Sequence, residues 1–395
     1  MATVTRGPSM QKSIRVALDV ETARIYGRHI LEGIAKYLKT TKPWSVYLEE
    51  HELDRDPREF LKRWDGEAII TRSILTPEAV DEIKRRQLVV VDVGDMGPPT
   101  EFTRIQSADS VIGSIAAKHL LERGFESLAC CSFSKEHWSA RRREGFAAEV
   151  RQHGFTASCY ESWRAGKQTW QHEQSELVEW LRTLPKPVGV FATNDLRGQH
   201  VLEACRRIDL AVPESVAVVG VDNDEVLCGL CQPQLTSIIP DSERIGYEAA
   251  YWLDRILVGS TDAPAAVEVP PRGIAVRQSS DVYAVSDPTV AAALRFIREH
   301  ACEGISVSDV LEHISVSRSW LERQFRKYVN HSPQVEIRTV QVRRCKELLK
   351  STTLPLEKIA GLTGFDHPEY MSVVFKRETK ETPGRYRKRH ADGRS

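Results

Sequence analysis

The stretch Leu356-Glu357-Lys358-Ile359-Ala360-Gly361-Leu362-Thr363-Gly364-Phe365-Asp366-His367-Pro368-Glu369-Tyr370-Met371-Ser372-Val373-Val374-Phe375-Lys376-Arg377 decides the fold of the last part of the chain. Leu356, Ile359 and Ala360 share one face of a short helix, Gly364-Phe365 ends it, and Met371 and Phe375 lie four apart on a second. The pattern also stands upstream, in Val307, Val310, Leu311 and Ile314 followed by Leu321 and Phe325. A longer helical pattern with Ile337, Val340, Cys345, Leu348 and Leu349 bridges the two pairs. A single helix pair is a weak signal, since any all-α domain contains some. A duplicate with Arg318, Arg323, Arg326, Lys327, Lys376 and Arg377 on or just after the second helices reads as a double helix-turn-helix facing DNA.

Charge points the same way. Over 395 residues, 55 Lys and Arg balance 55 Asp and Glu, but residues 286–395 hold 20 basic against 14 acidic groups, a net of +6 that leaves −6 for the rest. A solvated basic tail would give the same asymmetry; the helix pairs turn it toward a polyanion. The length predicts two or three domains, and 41% hydrophobic with 28% charged residues excludes a disordered or fibrous chain. No apolar run approaches the roughly 20 residues of a bilayer crossing, and Met1 to Lys12 is polar, so no membrane partner and a cytoplasmic location are expected. Eight cysteines are too sparse for a disulfide scaffold. Cys228 and Cys231 lack a second pair at metal-site distance, and Cys130-Cys131 sits in an apolar run, so reduced buried thiols and no metal or other cofactor are expected.

From Ile14 to Ala275 β-rich runs alternate with amphipathic stretches. Predicted strands are Arg15 to Leu18, Ser45 to Leu48, Ala68 to Thr71, Leu88 to Asp92, Leu128 to Ser132, Val188 to Ala192 and Val216 to Val221. Predicted helices include Ile30 to Leu38, Ile112 to Leu121, Leu177 to Leu184 and Leu196 to Cys205. Apolar strands separated by helix-length segments imply a doubly wound α/β fold, its parallel sheets covered on both faces. The polar segment Ser279 to Pro288 reads as a linker, giving expected units of 13–280 and 286–395.

Ile359-Ala360, Gly364-Phe365-Asp366, Tyr370, Ser372, Phe375-Lys376, Thr382-Pro383 and Tyr386-Arg387 resemble the C-terminal signature of the AraC family of transcription regulators. Ser317 through Phe325, with His331-Ser332-Pro333, is similar to that family's first helix-turn-helix unit. Two positions depart from the pattern. Ser315 stands where the family commonly has a turn glycine, so a left-handed backbone there would cost roughly 1 kcal/mol more than with glycine, and Lys380 replaces the usual glycine before Thr382-Pro383.

Arg142 through Phe146, Ala192-Thr193-Asn194-Asp195, Pro213-Glu214 and Val219-Gly220-Val221-Asp222-Asn223 resemble the effector core of the LacI/GalR repressors. That likeness implies a two-lobed domain built like a periplasmic sugar-binding protein. Such a core is normally preceded by its own DNA-binding headpiece, for which the residues before Ile14 leave no room. With DNA binding moved to the other end, and with Trp138, Trp170-Gln171-His172, Trp180-Leu181 and Leu184-Pro185, the chain resembles regulators of pentose operons. The resemblance implies a small sugar, D-xylose, as effector and activation of pentose-utilisation genes. Operator double-stranded DNA, RNA polymerase and a second copy in a homodimer are the implied partners.

The candidate sugar ligands are Asp222, Arg142, Asn194, Trp138, Asp109 and Tyr26, at or near the C-terminal ends of predicted strands where open α/β sheets hold ligands. A carboxylate such as Asp222 can accept from two hydroxyls, Asn194 both accepts and donates, and Arg142 supplies a rigid donor fork. Trp138 offers an apolar wall to the C–H face of a pyranose, and Tyr26 a rim. Plainer readings stand beside these: Asp222-Asn223 as a turn after a strand, Arg141 to Arg143 as a solvated helix face, Trp170 and Trp180 as packing. Ala108 occupies the place where this fold often has aspartate, which puts the hydroxyl contact of Asp109 in question.

On the helical side, Ser319, Glu322 and Arg323 of the first unit and Glu369, Ser372 and Val373 of the second are expected at the bases, with Pro368 beside them at the DNA. Arg318, Lys327 and Lys376 are assigned to phosphates. For Glu322 and Glu369 the plain alternative is a helix-surface charge. The rival from another class is an α/β sugar enzyme with a DNA-binding tail. Nucleotide-binding glycine motifs, a GxSxG elbow and HExxH are missing, and no cysteine has a Pro-Cys-His-Arg setting, so a non-enzyme is expected.

Overall fold

The computed structural model describes residues 13–41, 44–49, 58–94, 97, 100–162, 170–281, 285 and 287–391. Strands β1 (Arg15–Asp19), β2 (Ser45–Leu48), β3 (Ala68–Thr71), β4 (Val89–Asp92) and β5 (Thr103–Ser107) belong to a first six-stranded sheet. Strands β6 (Ser127–Phe133), β7 (Ala157–Ser162), β8 (Val188–Ala192), β9 (Val216–Val221) and β10 (Thr236–Ile239) belong to a second. The late strands β11 (Ala266–Val269) and β12 (Gly273–Ala275) are divided between them, giving the orders β11-β5-β4-β3-β1-β2 and β12-β10-β9-β8-β6-β7. Each sheet is the centre of one lobe.

Helices α1 (Ile25–Leu38), α2 (Arg58–Arg63) and α3 (Pro77–Arg85) cover the first sheet. Helices α4 (Asp109–Leu121), α5 (His137–Gln152), α6 (Trp170–Thr183), α7 (Asp195–Arg207) and α8 (Glu225–Leu230) surround the second, and α9 (Ser242–Leu257) returns to the first against α1. The α1–α9 contact is backbone-close: a Cβ on Gly33 would collide with the Glu243 carbonyl, and one on Gly246 with that of Ile30. Val16, Ile30, Ile70 and Val91 fill one lobe, while Phe146 stacked on Phe191 at 5.1 Å between centroids fills the other.

The chain passes between lobes three times: from β5 to α4, from β10 to α9, and from β11 to β12. The passages lie side by side, because Ala108 N–H donates to the Val269 carbonyl (2.9 Å) and Arg272 N–H to that of Ile239 (2.8 Å). They also explain one correction to the all-parallel expectation. Strand β12 pairs antiparallel with β10, since it re-enters the second sheet at the end where β10 leaves it, with no crossover helix between.

The start of the expected linker is corrected as well. Ser279 and Ser280 are fully buried in the second lobe, where Ser279 Oγ accepts from Thr236 N–H (2.8 Å) and donates to the Val218 carbonyl (2.6 Å). Short hydroxyl side chains satisfy strand-end backbone groups that water cannot reach. Met1 to Lys12 and Ser286 lie outside the described residues.

Beyond residue 287 all described regular structure is helical: α10 (Pro288–His300), α11 (Val307–Ile314), α12 (Arg318–Tyr328), α13 (Pro333–Ser351), α14 (Leu356–Leu362), α15 (Pro368–Thr379) and α16 (Pro383–Ala391). Ser306 and Asp309 form a capping box on α11, and the Ser317 side chain caps α12. One apolar cluster holds Val310, Leu321, Phe325 and Ile337, another Cys345, Leu349, Ile359, Met371 and Phe375, so α13 is shared by both helix pairs. Buried Gln341 ties them together by donating to the carbonyls of Ala301 (2.9 Å) and Gly364 (3.0 Å). The helical unit meets the second lobe through ion pairs: Arg298 grips buried Glu214 with both terminal guanidinium nitrogens, Arg295 meets Asp209 (3.1 Å), and Arg343 meets Asp281 (2.8 Å).

Both glycine departures fall on left-handed backbone, Ser315 (φ 53°) after α11 and Lys380 (φ 63°) after α15. Ser315→Gly is therefore expected to raise unfolding stability by about 1 kcal/mol in a urea titration. Operator affinity should stay unchanged; a loss of stability would show that the Ser315 side chain makes a compensating contact.

Candidate functional site

A cleft of ≈ 220 Å³ opens between the lobes, lined by Arg24, Tyr26 and Arg72 from the first and by Trp138, Arg142, Asn194, Asp195, Asp222 and Asp224 from the second. Five of the six expected sugar ligands line it. At its floor, β9 ends and the chain turns through two left-handed residues, Asp222 (φ 106°) and Asn223 (φ 49°). The Asp222 N–H donates to the Ile238 carbonyl (3.1 Å), and the Asn223 N–H to Ser237 Oγ (2.9 Å). Asp222 is thus a turn residue and a cleft residue at once, its strained backbone held by neighbouring β10.

Arg142 corrects the reading of its run as a solvated face. It is buried, with Nε donating to Asp109 Oδ1 (2.8 Å), Nη1 donating to the Thr193 carbonyl (2.8 Å), and Nη1 standing 3.6 Å from Asp222 Oδ1. Its guanidinium lies over the Trp138 ring, 4.8 Å from the centroid. The burial follows from the close α4–α5 approach, where a Cβ on Gly113 would collide with the Arg142 carbonyl. Asp109 is the expected ligand that does not line the cleft. Its fully buried carboxylate accepts from Arg141 (2.6 Å) as well as Arg142, so it stands behind Arg142 and fixes it.

Asn194 caps α7, its Oδ1 accepting from Arg197 N–H (2.9 Å), so its acceptor is shared with the helix. Trp138 donates from its indole to Glu136 (3.0 Å). The Tyr26 hydroxyl pairs with Ser107 (2.9 Å), and its ring lies under the Arg72 guanidinium at 4.6 Å. Trp170 packs on His200 and Trp180 on Tyr160, away from the cleft.

The sequence reading missed Arg24, Arg72, Asp195 and Asp224 as cleft residues. Arg72 follows β3 directly and pairs with buried Glu21, so the strand-end rule that found Asp222 also reaches it. Asp195, next to Asn194, is buried and accepts from Ser237 Oγ (2.6 Å), Asp224 N–H (2.9 Å) and Cys228 Sγ (3.4 Å). Burial, and then the neighbouring Asp222 charge, push its carboxyl well above the usual range. The native state therefore holds this proton where the unfolded chain has released it, and stability falls as pH rises from the unfolded value, about 3.9, through the raised native one. In Asp195→Asn, which keeps the neutral shape, that fall should flatten; urea midpoints across pH test it, and an unchanged slope would place the proton elsewhere.

On the helical unit, α12 and α15 each bury one face, with Leu321 and Phe325 or Met371 and Phe375, and present the other. Arg318, Ser319, Arg323, Lys327, Glu369, Lys376 and Val373 are exposed, Val373 by 64%. Pro368 opens α15, and Ser372 and Glu322 are half-buried. Glu322 lies 3.5 Å from Arg318 one turn away, the geometry of its surface-charge alternative in the unbound chain. Arg338, unforeseen, donates to the exposed Tyr370 hydroxyl (3.3 Å) and covers its ring. Among the described residues no helix is long and apolar enough to cross a membrane, and no His, Cys, Asp and Glu group could hold a metal ion.

Family models match three segments: an XylR N-terminal domain over residues 15–101, a periplasmic binding protein-like domain over 117–280 and a helix-turn-helix domain over 310–389. The chain is 30% identical to the xylose operon regulatory protein of Escherichia coli K12, over 95% of this chain and 97% of that protein. It is 29% identical to the protein of the same name from Haemophilus influenzae, over 94% and 98%. A solved structure described as the xylose-binding transcription activator xylR superposes with a TM-score of 0.81 at 29% identity, covering 96% of this chain and 99% of that one. A ribose-bound LacI-family regulator from Enterococcus faecium, 18% identical with a TM-score of 0.56, shares the two-lobed fold over 69% of this chain and 99% of its own.

Proposed function

The chain belongs to the family of xylose operon regulatory proteins, and from that premise we propose that D-xylose is the effector taken up between its lobes. It is a sugar-responsive, DNA-binding regulator of transcription. In our reading the loaded form is a cytoplasmic homodimer that holds an operator with α12 and α15 and activates transcription by contact with RNA polymerase. It is a regulator and not an enzyme in this reading, and turnover of a bound sugar would contradict it.

The observation that supports this most directly is the convergence of Asp222, Arg142, Asn194 and Asp195 with the rings of Trp138 and Tyr26 in one small cleft. Such a cleft offers a polyol a charged acceptor, donors and a flat apolar wall, the few anchors and large apolar surface that pockets use. Ligand touching both lobes favours one arrangement of them by its differential affinity alone. The Glu214–Arg298 pair then carries the second lobe's position to the helical unit. The test is calorimetric titration of xylose, arabinose, ribose and glucose with and without operator DNA. Xylose should bind tightest, and operator should change its affinity by a coupling of about 1–3 kcal/mol. Equal affinity with and without operator would remove the sensor reading, and preference for another sugar would replace the effector.

Base readout has its own expectation. Arg323→Ala should cost about 1–3 kcal/mol at one operator base pair and relax specificity there, whereas Lys376→Ala should weaken every sequence alike and reduce the salt slope by about one. Titrations over single-base operator variants at two salt concentrations separate the two. A uniform loss for Arg323→Ala would move that residue to the phosphates.

A further inference from the structure

Strands β6 and β7 run parallel with Cys130 directly opposite Cys159, so both side chains leave the sheet on the same face. The register makes their side chains direct neighbours on that face. Strand β7 is the edge of the second sheet, with β6 its sole partner among the described residues. Cys159 is exposed there, and Cys130 is fully buried beneath α5. Arg143 of α5, ion-paired with Glu161 two residues beyond Cys159, brings a guanidinium to the same edge.

We propose that Cys130 and Cys159 form an oxidisable dithiol, a modification site whose co-reactant is a hydroperoxide and whose product is a cross-strand disulfide. The division of labour follows from the two environments. The neighbouring Cys130 thiol and then the Arg143 charge lower the Cys159 thiol to about 7, which favours its thiolate, while burial pushes Cys130 well up. The Cys159 thiolate attacks one peroxide oxygen, the O–O bond breaks, and the departing hydroxide takes a proton and leaves as water. Cys159 is then a sulfenic acid. Cys130 attacks that sulfur, the S–O bond breaks, and the Cys130 proton leaves with the hydroxide as a second water. Two thiols lose two electrons, and one hydrogen peroxide becomes two waters.

The backbone permits the bond and keeps it reversible. Adjacent strands lie about 4.7–4.9 Å apart, within the roughly 4.4–6.8 Å between Cα atoms that a disulfide spans. A disulfide draws its Cβ atoms to about 3.5–4.5 Å, so β7 must move inward by a few tenths of an ångström. An edge strand bound on one side can do so, at the cost of strain, and strained disulfides are the readily reduced ones. The neighbouring thiols do not compete. Cys131 points to the opposite face of β6, packed with Leu177 and Val190, and burial raises Cys228 and Cys231.

The test uses the full chain, hydrogen peroxide, maleimide trapping under denaturing conditions and intact mass. Oxidation should remove two of the eight trappable thiols, lower the mass by the two hydrogens lost, and be reversed by dithiothreitol. Cys131→Ser should still lose two thiols, whereas Cys159→Ser, an isosteric change at an exposed position, should lose none. Unchanged sugar affinity of reduced Cys159→Ser confirms that it is folded. Cys159 stopping at sulfenic or sulfinic acid with Cys130 still trappable would overturn the proposal, as would a disulfide that persists in Cys159→Ser.

Discussion

Asp222→Ala is expected to weaken sugar binding beyond detection while leaving operator affinity without sugar within about threefold of the parent. The size follows from what is lost. If Asp222 binds sugar directly, its carboxylate can accept two charge-assisted hydrogen bonds of about 1.5–3 kcal/mol each, and their loss would cost roughly two to four orders of magnitude in affinity. Arg142 does not become an orphaned charge in this variant, because Asp109 still holds its Nε. The defect should therefore be one of binding and not of folding. Asp222→Asn, which tolerates the left-handed backbone better than Ala, separates lost charge from added strain and should still bind sugar at least tenfold more weakly. Binding by Asp222→Ala within threefold of the parent in calorimetry would remove Asp222 from the sugar contacts.

Asp109→Ala should show the opposite profile, with its largest effect on stability. Asp109 lies wholly out of solvent between two guanidiniums, and its removal leaves Arg142 buried with one charged partner gone. Breaking such a pair costs about 3–5 kcal/mol, which a urea unfolding curve of the sugar-free protein will read directly. Sugar affinity should fall as well, because the fork that faces the cleft loses its anchor. A stability change under about 1 kcal/mol would mean that Asp222 and the Thr193 carbonyl suffice to hold Arg142.

Strands that are apolar throughout, such as Val216–Val221, could be read directly, because a strand covered on both faces needs no polar side chain. Strand β5, Thr103-Arg104-Ile105-Gln106-Ser107, could not, although all five residues are buried. Its polarity is matched across the sheet, Arg104 by Asp92 (2.6 Å) and Gln106 by Glu268 (3.2 Å), and pairing between distant strands leaves no local signal. Strand β7 was hidden by its edge position, where exposure removes the need for an apolar pattern. The cleft divides in the same way. Asp222, Asn194 and Arg142 sit in runs that carry a family resemblance, whereas Arg72 has only its place after β3 to mark it, and its pairing with Glu21, some fifty positions earlier, leaves no local trace. Asp109 had the right chemistry and the wrong depth, a distinction set by how closely α4 approaches α5.

The three side-by-side passages between the lobes carry a consequence for descent. Neither lobe is one continuous length of chain, so a single genetic splice cannot exchange one for a relative's without cutting the other. The helical unit is entered once, after residue 281. Recombination can therefore trade the DNA reader as a cassette, while the cleft lined by Tyr26, Trp138 and Asn194 from both lobes has to change residue by residue.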